Sequence, residues 1–309
     1  MNMQIYYADH FVLPLPPGHR FPMSKYARLR ERVSEAGIIP PHELAEPPAA
    51  TDAQLMLVHD PAYVRRVADG TLDAQEQRRI GFPWSMQMVE RSRRSVGATI
   101  AAARSALQYG FAANLAGGTH HAYADHGEGY CIFNDVAVAI RTLMHDQLIE
   151  SAGILDTDVH QGNGTAAIFR DDPSVFSFSV HGANNFPFRK EASSLDVPLA
   201  DGAGDEEFLA AVSAGVTAVL GRKPDIVFYI AGADAHERDR LGRLRVSARA
   251  LAERDDLILG ACQRAGVAAV VVMGGGYGSD VEETVAIHLN SVLAAADLAL
   301  RASPISTTR

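Results

Sequence analysis

The sequence predicts an α/β fold, a central and mostly parallel sheet with helices on both faces, and three observations lead there. From about residue 95, short apolar runs alternate with longer stretches of helical periodicity, the pattern of a parallel sheet covered on both sides. Glycines and polar residues cluster where those runs end, which is where such sheets bind ligands. The chain, 309 residues with 47 % hydrophobic content, is also long enough to fill a sizeable core.

In chain order, the first 90 residues are the least regular, with proline-rich pieces at 14–17, 40–41 and 47–48 that read as surface loops. A helix is expected over 86–109, then a strand at NLAGG near 114, ending in Gly117 to His121. A helix at 134–148 leads to GILDTD near 153, ending in Asp156 to His160, and then to VFSFSV near 175, ending in Ser179 to His181. Helix 205–220 precedes DIVFYIAG near 225, and helix 247–265 precedes AAVVVMGGG near 268. These runs end in Gly232 to Asp234 and in Gly274 to Tyr277, and a last helix is expected over 280–301. With no internal repeat, low-complexity tract or linker, residues 1–309 read as one domain.

A net charge of −9 without any basic block excludes nucleic acid or an anionic membrane surface as a general partner. Two cysteines, Cys131 and Cys262, are too few for a disulfide framework. The opening MNMQIYYADH lacks a basic start and an apolar stretch, and no apolar run approaches membrane-spanning length, so a cytoplasmic location is expected.

The residues that carry chemistry sit at the run ends. In LDTDVHQGNG, Asp156, Asp158 and His160 occupy every second position and would share one face of a strand. Two carboxylates that close repel unless something positive lies between them, which points to a metal ion. His120 and His121 are adjacent, and both can serve one site only if the backbone turns, a freedom that Gly117 and Gly118 supply. A lone histidine there is better explained by packing, whereas a pair at a strand end beside a glycine turn points toward function. Asp234 ends a very apolar run, where a carboxylate is costly unless paired, metal-bound or used as a helix cap. Tyr277 follows three glycines that either pass close to a ligand or form a tight turn; Ser279 breaks any dinucleotide fingerprint.

Together these motifs resemble the zinc-dependent histone deacetylase superfamily, with its arginase-deacetylase fold, from about His10 to Asn290. HRFPMSKYARL, DTDVHQGNG and GADAHERDRLGRLRVS carry a likeness to class IV and bacterial class IV-like deacetylases. The resemblance implies one catalytic Zn2+ on Asp158, His160 and Asp234, with His120 and His121 as paired catalytic histidines. Tyr277 would hold the substrate carbonyl. Asp156 would orient His120, and Asn163 would stand behind His121, leaving that ring less basic than an aspartate would. Tyr130 and Phe186, with Gly129 and Gly275, would form a narrow tunnel for an acylated stem. The same likeness implies a potassium ion (K+) at Asp156, Asp158, His160, Ser179 and Val180, and another near Phe169, Asp172 and Val175. Gly162 and His236 stand where an arginase-like dinuclear site would need further carboxylates.

The implied reaction is amide hydrolysis. Three protein ligands leave the metal an open position, a bound water acidified to a pKa of roughly 7 attacks, and metal and tyrosine stabilise the oxyanion. The expected substrate is an acylated lysine of a protein or an acylated small amine. The alternatives are an acetylpolyamine amidohydrolase, which would favour an acidic mouth residue such as Glu128 or Glu237, and an inactive acyl-lysine binding module. The run Gly274–Gly276 is expected to let Tyr277 move. Oligomeric state is not encoded legibly.

Overall fold

The computed structural model describes residues 3–301. Among them, the strands are β1 (Ile5–Tyr6), β2 (Leu44–Ala45), β3 (Phe111–Asn114), β4 (Ala152–Asp156), β5 (Val175–Gly182), β6 (Leu195–Leu199), β7 (Ile226–Ala231) and β8 (Ala268–Met273). They form one sheet in the order β2-β1-β3-β8-β7-β4-β5-β6, with every pair parallel. The helices are α1 (Ser24–Glu35), α2 (Asp52–Leu55), α3 (Pro61–Asp69), α4 (Ala74–Ile80), α5 (Met86–Tyr109), α6 (Asp135–His145), α7 (Asn163–Phe169), α8 (Asp205–Leu220), α9 (Ala248–Ala265) and α10 (Val281–Arg301).

The continuous apolar runs follow from burial on both sides. In β8, Ala269, Val271 and Met273 face one hydrophobic layer, and Ala268, Val270 and Val272 face the other. In β7, Val227, Tyr229 and Ala231 alternate with Ile226, Phe228 and Ile230 in the same way. The chain passes from β3 to β4 over the positions later filled by β8 and β7. That reversal brings the carboxyl ends of β3, β4, β7 and β8 side by side, the place where open α/β sheets bind ligands.

Several expectations change. The first 90 residues keep their proline-rich loops at 14–17 and 47–48 but also hold short helices, α2 to α4, each with its own start signal. Thr51 with Gln54 and Asp73 with Glu76 form capping boxes, and Asp60 caps α3 just before Pro61. The strand expected at 114–118 lies at Phe111–Asn114, since Gly117 and Gly118 adopt φ of +81° and +68° and turn the chain out of the ladder. By length and mean hydropathy α10 could cross a membrane, contrary to the reading above. Its apolar face, including Val285, Val292 and Ala296, instead belongs to the core beneath the sheet.

Two buried polar arrangements hold the strand ends. Arg254 and Asp255 of α9 are both fully buried and paired, with Arg254 Nη2 2.9 Å from Asp255 Oδ1. Arg254 Nη1 also donates to the Gly232 carbonyl at 2.5 Å, and the Tyr229 and Ser291 hydroxyls donate to Asp255. The end of β7 is thereby fixed from below. His59 bridges two segments near the histidine pair: its Nε2 accepts from the Asn134 amide at 3.0 Å, so its Nδ1–H donates to the Tyr123 carbonyl, also at 3.0 Å.

Arg254→Met leaves Asp255 buried without its cation and should cost about 3–5 kcal/mol in denaturant unfolding. Adding Asp255→Leu should recover part of that loss; a single variant within about 1 kcal/mol of wild type would contradict the assigned role. Burial holds His59 down to about 4 against an ordinary 6.5, so the unfolded chain binds the extra proton between those values. Its contribution is full above about 6.5 and should fade as pH falls toward about 4, by up to about 3 kcal/mol. His59→Gln should be less stable at neutral pH and flatter over that window. Acid profiles that run parallel in the two proteins would contradict it.

Candidate metal centre and active site

Strand β4 stops at Asp156, and Asp158 to His160 follow in a bend. The three side chains therefore do not share a strand face as the alternation suggested. Asp156 turns to His120, its Oδ2 lying 2.7 Å from Nδ1. Asp158 and His160 turn to Asp234, and His160 Nδ1 lies 3.0 Å from Asp158 Oδ1 and 3.0 Å from Asp234 Oδ2. One donor atom from each of Asp158, His160 and Asp234 lies within 4.8 Å of the others, and all three residues are buried. Asp234 caps no helix, since α9 begins later and is capped by Ser247.

Backbone amides orient the carboxylates. Gly275 N donates to Asp158 Oδ2 at 2.5 Å, and Val159 N donates to Asp234 Oδ1 at 2.9 Å. A Cβ on Gly275 would overlap the Asp234 carboxylate, and one on Gly274 would lie 2.8 Å from Asp158 Oδ2. The glycine run thus serves close approach. It is also pinned, by Ala233 N donating to the Gly275 carbonyl at 2.9 Å and by Lys25 Nζ near the carbonyls of Gly274 and Gly276, each at 3.4 Å. The expected mobility of this segment is not what these contacts favour.

The donor set fits a divalent cation. Burial and the Asp158 charge push Asp234 up to about 7. Burial alone would raise Asp158 as well, but His120 and His160 hold it well below the usual carboxylate range. Burial would lower His160, yet hydrogen bonds to Asp158 and Asp234 lift it to about 10. Two buried carboxylates therefore compete for positive charge, and two carboxylates with one imidazole are a ligand set of the catalytic-zinc kind.

The two histidines differ in charge preference. Burial pulls both down, but Asp156 and then Asp158 carry His120 up to about 9. His121 stays well below its ordinary value, because burial is joined by the charges of His120 and His160, and its Nδ1 meets only the neutral Asn163 Oδ1 at 2.7 Å. Asn163 in turn donates to the Tyr123 hydroxyl at 3.1 Å and to Glu128 at 3.3 Å.

Tyr277 is gripped by its main chain: its N–H donates to Asp239 at 2.6 Å, and Arg240 Nε donates to its carbonyl at 2.7 Å. Burial, then Asp158 and Asp234, push its hydroxyl well above its ordinary value, so it remains a donor. A cavity of about 740 Å³ runs outward from His121, His160 and Tyr277 between Gly129, Tyr130 and Phe186. Gly275 lies outside that lining, beside the carboxylates in an inner cavity of about 40 Å³. Neither Glu128 nor Glu237 lines the mouth, which arginines occupy.

The residues named for potassium divide. Asp156 and Ser179 are register partners on β4 and β5, with Val180 next to Ser179, and Ser179 Oγ lies 3.0 Å from His181 Nδ1. Phe169, Asp172 and Val175 form the turn between α7 and β5, where the Asp172 carboxylate is taken up by Arg141 at 2.6 Å and by Ser174. Lys25, Asp239 and Arg240 were not singled out from sequence. Only Lys25 left a trace there: it shares the buried face of α1 with Leu29 and Val33.

The histone deacetylase domain family matches residues 19–293. An uncharacterized protein of Picosynechococcus sp. strain PCC 7002 is 44 % identical over 93 % of this chain and 96 % of its own. A histone deacetylase-like amidohydrolase of Pseudomonas aeruginosa is 30 % identical over 85 % of this chain and 74 % of its own. The crystal structure of an HDAC homolog from Aquifex aeolicus superposes with a TM-score of 0.81 at 22 % identity, covering 98 % of this chain and 86 % of that one. It shares the arrangement of one parallel sheet between helical layers. With a family match that spans most of its length, the chain belongs to the histone deacetylase family.

Proposed function

We propose that this protein is a zinc-dependent amidohydrolase that removes acetyl or another acyl group from an acylated lysine or a small acylated amine, the whole chain acting as one catalytic domain. The observation that carries the reading is the meeting of the buried Asp158, His160 and Asp234 donors, the first two lining the inner cavity, with two histidines there that have unlike partners, Asp156 and Asn163. A zinc ion held by those three residues supplies Lewis acidity to the amide carbonyl and acidifies a water toward a pKa of about 7.

The chain's own groups do the rest. His121, neutral and with its Nδ1–H directed to Asn163, presents Nε2 as the base that takes the attacking water's proton. His120, whose charged form Asp156 favours, faces the same centre and can protonate the departing amine. The Tyr277 hydroxyl donates to the carbonyl oxygen as charge builds there. Tyr130 and Phe186 take the apolar stem of the substrate and exclude water from it. Structural potassium ions at the two residue groups named for them belong to the same reading. Two buried free thiols, Cys131 and Cys262, suit a reducing, cytoplasmic setting. The presence of both histidines, the metal donors and the tyrosine together favours a catalyst over a silent acyl-lysine binder.

Asp158→Ala or His160→Ala should empty the metal site and abolish hydrolysis of a fluorogenic acyl-lysine, because two remaining ligands hold zinc poorly. Elemental analysis should show metal falling together with activity, and stoichiometric metal with full activity in either variant would sink the assignment. Tyr277→Phe should keep metal content and hydroxamate affinity while kcat drops roughly a hundredfold to a thousandfold. A near-normal kcat would remove the hydroxyl from the reaction.

A further inference from the structure

The outer part of the cavity is lined by Arg20, Arg78, Arg79, Arg240 and Arg243, and no aspartate or glutamate is among its lining residues. This is the reverse of the chain as a whole, whose net charge is −9. The arginines come from three separate segments: the chain before α1, the end of α4 and the loop after β7. Arg78 and Arg79 alone could be read as cations complementing the carboxyl end of α4. That explanation does not reach Arg20 or Arg240, nor does it account for a lining that includes no carboxylate. Arg243 pairs with Asp201, and Arg240 spends Nε on the Tyr277 carbonyl. The exposed Arg20, Arg78 and Arg79 point no ion pair at any described residue.

Resting on the hydrolase reading, we infer that this mouth selects acyl amines whose far end is anionic. With the acyl group at the floor and the amine's stem between Tyr130 and Phe186, whatever terminates the stem lies among the arginines. A carboxylate there gains charge-assisted hydrogen bonds from Arg20, Arg78 and Arg79, which repel an ammonium; the carboxylates nearby, Asp201 and Asp239, are already engaged by Arg243 and by the amides of Leu241, Gly242 and Tyr277. A concave rim of one sign also focuses its field and draws anions from solution. The terminal ammonium of an acetylpolyamine is thus disfavoured. The anion has two sources of the same chemistry: the carboxylate of a small acylated amino acid, or acidic side chains that flank an acyl-lysine in a protein.

Three amides with identical five-methylene stems test this on the zinc-loaded full chain: N-acetyl-6-aminohexanoate, N-acetylhexylamine and N-acetylcadaverine. kcat/KM should fall in that order, with about tenfold or more between carboxylate and ammonium at low salt, and the gap should narrow as ionic strength rises. The double variant Arg78→Glu with Arg79→Glu should shrink or invert the ratio. Acetyl-lysine peptides flanked by glutamate or by lysine identify the source: a preference shown by the small amides but not by the peptides assigns the rim to small acylated amino acids, and one shared by both assigns it to protein substrates as well. Hydroxamates ending in carboxylate, methyl or ammonium should bind in the same order, read by calorimetry. Equal affinities, or a preference for ammonium, would overturn the inference even if all three amides are hydrolysed. Absence of turnover on every amide would overturn the hydrolase reading, while the hydroxamate order would still decide the rim.

Discussion

Two carboxylates, Asp158 and Asp234, face one another in a fully buried space at the ends of β4 and β7, and most of the surrounding structure answers that repulsion. The cost of burying like charges is met by directed amides and nearby cations. Gly275 N and Val159 N donate to the pair, and His160 bridges it. Arg254 anchors Gly232 directly beneath, and Lys25 reaches the Gly274 and Gly276 carbonyls from the other side. The glycines at 274 and 275 follow from the same constraint, because a side chain there would displace the carboxylates. The three buried donors Asp158, His160 and Asp234 fit a divalent ion, which would complete that balance.

The same electrostatic logic separates floor from rim. At the floor, the arrangement distinguishes two chemically identical imidazoles: Asp156 stabilises charge on His120, and the neutral Asn163 leaves His121 without it. At the rim, the net sign of the chain is reversed by arginines from three segments. Between them Tyr130 and Phe186 form an apolar interval, so the cavity reads from bottom to top as metal donors, hydrocarbon walls and cations. Each level constrains a different part of any ligand.

How much of this could be read in the sequence depends on how local each signal was. Strands β7 and β8 are buried on both faces and announce themselves as continuous apolar runs, β4 and β5 by shorter ones broken by Asp156 and by Ser177 and Ser179, and the longer helices show their periodicity. β1 and β2 are two residues long, too short for any period, and β6 is a half-exposed edge strand that contains Pro198. The helices of the first 90 residues did carry readable capping boxes at Thr51 and Asp73, masked by the prolines around them. At the site, alternation picked out Asp156, Asp158 and His160 by a geometry the chain does not use, because the strand ends at the first of them. Lys25, Asp239 and Arg240 act across more than thirty residues of sequence and left almost nothing local to find.

The main-chain clamp on Tyr277 has a mechanical consequence. With its amide fastened to Asp239 and its carbonyl to Arg240, the residue behaves as a cantilever fixed at its base. The hydroxyl can wander only through two side-chain torsions, both hemmed by the rings of Phe21, Tyr130 and His160. Little ordering entropy is then left to lose on placing the hydroxyl, so in the proposed reaction the loop carrying Asp239 and Arg240 would bear on its precision through the main chain of Tyr277.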